Sequence, residues 1–138
     1  MMIWPSAGPE NTTATLRTAL ETAQREGIRH LVVASISGAT ARRVLELGVG
    51  GVSVVCVTLH VGYRGPGIGK MPPEERRYLG EQGVRVLAAT HVLSGVDRAV
   101  RSKFGGLYPA EIMAASLRLL GQGLKVCVEV SVMALDAG

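Results

Sequence analysis

Apolar positions along the chain follow two rhythms. In "NTTATLRTALETAQREG", Leu16, Ala19, Leu20 and Ala23 recur at the spacing of one helix face, with Asn11 or Thr12 as cap and Gly27 as stop. "IRHLVVAS", "GVSVVCVTLH", "VRVLAATH" and "LKVCVEVSVMAL" are instead continuous apolar runs bounded by glycines and polar residues. Runs of that kind predict four strands covered on both faces.

Between the strands the rhythm returns to helices. Ala39 to Leu47 reads as a second helix, and Pro72 and Pro73 open a third whose first turn holds Glu74 and Glu75, as the helix dipole favours. "YPAEIMAASLRLLGQG" reads as a further helix, and "VLSGVDRAVRSKFGG" as an irregular segment with one short helix. Val61 to Lys70, rich in glycine, predicts a long exposed loop. Strands alternating with helices predict an α/β fold: a three-layer αβα domain over residues 1–138, with a mostly parallel sheet and right-handed crossovers. The last strand has no helix after it, and an uncovered apolar strand favours association into a homo-oligomer.

Composition narrows the class. No apolar run approaches the roughly 20 residues that cross a bilayer, and "MMIWPSAGPENTT" lacks the basic and apolar blocks of a secretory signal. The expectation is a soluble cytoplasmic protein with no membrane partner. Cys56 and Cys127 lie in apolar runs without CxxC spacing, which predicts reduced core thiols. Net charge is +4, but the basic groups are scattered and aromatics make up only 4% of the chain. Nucleic-acid binders carry a basic stripe or stacking rings, so a small anionic ligand is the better expectation.

Ligands of open parallel sheets gather beyond the carboxyl ends of the strands, near a reversal of strand order. Four groups of residues leave the expected strands there: Ser35, Ser37, Gly38 and Thr40; Thr58, His60, Tyr63 and Arg64; Thr90, His91, Ser94, Gly95, Arg98, Arg101 and Lys103; and Asp136 and Gly138. Ser37 and Thr40 suit helix caps, and the free N–H groups of the same turn suit a phosphate. His60 and His91 lack a third ligand for a metal, so none is expected. His30 precedes its strand and belongs away from this rim, while Asp97 and Arg101 have the spacing of a helix pair. Glu129, a carboxylate in an apolar run, needs an edge position or a partner on the rim. Walker, GxGxxG and GxSxG motifs are absent, and "GPGIGK" has the wrong spacing for a phosphate loop.

"VVASISGATARRVLEL" resembles the strand, turn and helix of the pyruvate kinase C-terminal domain, where the turn holds a phosphate of a sugar bisphosphate activator. "ENTTATL", "HLVVASISGATA", "VVCVTLHVGY", "MPPEE", "THVLSGVDRAVRSKFGG" and "GLKVCVEVSVMALDAG" more closely resemble a stand-alone family of pyruvate kinase C-terminal-domain-like proteins. The resemblance implies that fold without kinase activity, and flavin mononucleotide (FMN) in the rim pocket. Ser35, Ser37, Gly38, Ala39 and Thr40 match the phosphate turn; Thr58, His60, Thr90, His91, Ser94 and Gly95 match the motifs bordering the rest of the ligand. It also implies a chain truncated at its C-terminal end. The leading expectation is a protein that binds a phosphorylated small molecule, plausibly FMN, with Trp4, Tyr63 or Tyr108 available to stack on its ring. The alternatives are an enzyme using His60 or His91 as acid or base, and a module regulated by a sugar phosphate.

Overall fold

The computed structural model describes residues 3–138; Met1 and Met2 of the opening stretch lie outside the described residues. A 3-10 turn at Pro9–Asn11 leads into α1 (Thr12–Arg25), β1 (His30–Ala34), α2 (Ala39–Leu47), β2 (Ser53–Thr58), α3 (Pro73–Glu81) and β3 (Arg85–Ala88). Three helices follow: α4 (Gly95–Phe104), α5 (Pro109–Arg118) and α6 (Gln122–Asp136). The strands form one parallel sheet in the order β1-β2-β3. Strand order does not reverse within it; what changes after β3 is the face on which the chain packs.

Alternation of strand side chains explains why the apolar runs are continuous. Val33, Val54 and Cys56 join Leu16 and Leu20 of α1, Ala41 and Val44 of α2 and Leu79 of α3 in one core. Val32, Val55, Val57 and Leu87 point the other way and pack under Val130 and Met133 of α6. Both faces are covered, giving the three-layer αβα arrangement. α1 ends at Gly27, whose positive φ of 68° lets Ile28 N–H reach Ala23 O at 2.7 Å, closing the helix as expected.

The fourth strand is not formed: residues 122–136 are α6. Lys125, Glu129, Val130 and Met133 are buried at helical spacing, while Leu124, Val128, Val132 and Leu135 are exposed. Electrostatics decides against the strand. Four residues span about 13 Å in a strand, whereas one helical turn brings their side chains to about 6 Å, close enough for Lys125 and Glu129 to pair. Valine's preference for strands is worth less than a buried pair of charges left apart. Cys127 is consequently exposed rather than in the core, whereas Cys56 is buried, which pushes its thiol up to about 11. Asp136 and Gly138 lie at the end of the sheet opposite the rim, where Arg85 donates to Gly138 O. His30 begins β1 on that same side, paired with Ser53, as its position before the strand suggests. No helix among the described residues is long and apolar enough to cross a membrane.

Candidate functional site

Parallel register brings the three strand ends to a common edge, with Ala34 opposite Val57 and Thr58 opposite Ala88. Beyond that edge, α6 and the start of α4 enclose a cavity of about 420 Å³, within the range typical of small-molecule sites, about 300–1,000 Å³. Of the residues singled out in the sequence, Ser35, Thr58, His60, Tyr63, His91, Ser94, Gly95, Arg98 and Glu129 line it. Ser37, Gly38, Ala39, Thr40 and Thr90 do not, and neither do Trp4, Arg64 and Tyr108. Trp4 stands against Thr15 and Thr18 of α1 instead.

The two hydroxyls nearest the sheet serve the fold. Ser35 Oγ accepts from Thr40 N–H at 3.1 Å, and Thr58 Oγ1 donates to Ile36 O at 2.8 Å. The cap of α2 is therefore supplied by Ser35, not by the side chains of Ser37 or Thr40. Gly38 turns the chain into α2 with φ 98°, and a Cβ there would stand 2.4 Å from the side chain of Glu75. Glu75 in turn is paired with Arg42, whose guanidinium lies 4.0 Å over the Tyr78 ring. A carboxylate thus already lies beside the dipole end of α2. Gly95 has a steric role of another kind, because a Cβ on it would stand 2.3 Å from Thr90 Cγ2.

A buried charge cluster forms the wall opposite the sheet. Glu129 accepts from Leu93 N–H at 2.9 Å and from Lys125 Nζ at 2.5 Å, and its Oε2 lies 3.4 Å from His91 Nδ1. Glu129 thus has a partner on the rim. Burial pushes its carboxyl up, but Lys125, the Leu93 N–H and His91 together outweigh that and hold it below the ordinary value. The carboxylate facing His91 Nδ1 favours a hydrogen on that nitrogen. His91 Nε2 and His60 Nδ1 are buried without a hydrogen-bond partner among the described residues, and the two ring centroids lie 6.5 Å apart. The Tyr63 ring meets His60 edge-on at 5.8 Å. Among the described residues no group of three or more His, Cys, Asp or Glu is placed to hold a metal ion.

Three polar lining residues are not among the sequence candidates: Arg118, Gln122 and Lys125. All belong to α5 and α6, and Lys125 falls within the run expected as a strand. The signal that finds Lys125 is its spacing of four from Glu129 in an otherwise apolar run. Asp97 and Arg101 do not pair with each other. Asp97 accepts from Ala110 N–H at the start of α5, and Arg101 donates to Glu111 at 3.0 Å. No protein-family model matches the sequence.

Proposed function

We propose that this protein binds a phosphorylated small molecule in the cavity between the strand ends and α6, with FMN as the leading ligand. The observation that carries this reading is the lining itself: Arg98 and Arg118 have no carboxylate partner among the described residues, and two imidazole nitrogens lie buried and unpartnered beside them. Such a wall offers two permanent charges to a phosphate and two imidazole nitrogens to the ligand's polar groups. Tyr63 supplies an aromatic edge for a ring. The expected likeness to pyruvate kinase C-terminal-domain-like proteins points the same way and brings no kinase chemistry with it. Free thiols at Cys56 and Cys127 suit a reducing cytoplasm, and the exposed apolar residues of α6 support self-association. Titration with FMN and riboflavin, followed by flavin fluorescence, tests the reading. FMN is expected to bind, and more tightly than riboflavin; a protein that binds neither FMN nor any sugar phosphate contradicts it.

A second reading is favoured by the contact between Glu129 and His91. A carboxylate that fixes the Nδ1–H tautomer leaves Nε2 free to take a proton from a bound ligand. Nitrogen NMR of His91 is expected to show Nδ1–H. An Nε2–H tautomer would remove the base.

A further inference from the structure

We infer that the phosphate of the ligand is held by Arg98 and Arg118 at the junction of α4, α5 and α6, and that the turn Ser35 to Thr40 is not its seat. This rests on the proposed function and specifies the anion end of the same cavity.

The main cavity meets a second hollow of about 120 Å³ between α4 and α5, and the two share Ser94, Arg98 and Arg118. Arg101 and Glu111 lie in the second hollow and bind each other at 3.0 Å, so their charges cancel. Arg118 Nε donates to the neutral Gln122 at 2.9 Å, which orients the guanidinium without neutralising it. Arg98 meets no carboxylate among the described residues. Two positive charges therefore remain where the hollows join, matching a phosphate monoester, which approaches a dianion above its second pKa of about 6. Glu111 Oε2 is buried without a hydrogen-bond partner among the described residues and Arg101 is engaged by the same carboxylate, so the second hollow offers an anion no free cation and the junction is its place.

The turn is already occupied. Glu75 lies against Gly38, and residues 37–40 do not line the cavity. A helix dipole end carries only about half a charge, and the Glu75 side chain, held there by its pair with Arg42, already occupies the space beside it.

The test compares the full chain with Arg98→Gln/Arg118→Gln and with Ser37→Glu, each titrated with FMN and riboflavin. Both arginines and Ser37 are exposed, so each variant is expected to keep its urea midpoint. The double arginine variant is expected to lose about 10- to 100-fold in FMN affinity per arginine, with riboflavin affinity unchanged. Ser37→Glu is expected to change neither. Loss of FMN binding in Ser37→Glu with the arginine variant unaffected overturns the inference and leaves the proposed function standing, whereas equal affinity of the unaltered protein for FMN and riboflavin contradicts both. If the unaltered protein binds neither flavin, inorganic phosphate followed by phosphorus NMR line width takes their place. Broadening that the double arginine variant abolishes supports the inference; no broadening overturns both the inference and the proposed function.

Discussion

Glu129 ties three pieces of the chain together through one carboxylate: Lys125 on its own helix, Leu93 before α4, and His91 on the rim. Removing it strands a buried ammonium, so Glu129→Ala is expected to cost about 3–5 kcal/mol in urea unfolding. Lys125→Met combined with Glu129→Leu is expected to cost less than Glu129→Ala alone, because no buried charge is left unpaired. An equal or larger loss would show that the cluster matters through shape rather than charge. pH follows from the same contacts. The folded carboxyl titrates below its ordinary value of 4.5, so its contribution is complete above that value and is lost as pH falls through the folded value. Stability measured by urea between pH 3 and 7 should therefore fall at the acid end, and Glu129→Gln should flatten that fall.

At the scale of elements, α6 shows where pattern reading fails and why. Val126, Val128, Val130 and Val132 alternate with other residues as in a strand, and valine favours strands. The decisive information is the spacing of two charges, which matters only once both are buried. β1, β2 and β3 were readable because both of their faces are covered, leaving an apolar run with no polar interruption. α3 was readable from Pro73 and its acidic first turn. The turn into α2 was legible as a turn, but not the presence of Glu75 beside it, which arrives from 37 residues further along the chain. Gly38→Ala is expected to destabilise the protein by about 1–3 kcal/mol, since it strains a backbone at φ 98° and drives a methyl into Glu75. An unchanged melting temperature would contradict that packing. Gly95→Ala should displace Thr90 and weaken ligand binding through the start of α4, read as a rise in Kd with FMN.

Across the whole molecule, the sequence places chemistry at the carboxyl ends of the strands, and the cavity lies there. A third of its lining residues, however, come from α5 and α6, after the chain has crossed to the other face of the sheet. Arg118, Gln122 and Lys125 converge on Ser35 and His60 through that crossing alone, and no short-range pattern encodes it. The most direct test of the central claim is a set of two-dimensional amide NMR spectra recorded while FMN is added to the full chain. The account predicts shifts concentrated at His60, His91, Ser94, Gly95, Arg98 and Lys125, with Trp4 and α1 unmoved. Shifts confined to α1, or none at saturating FMN and sugar phosphate, would contradict it.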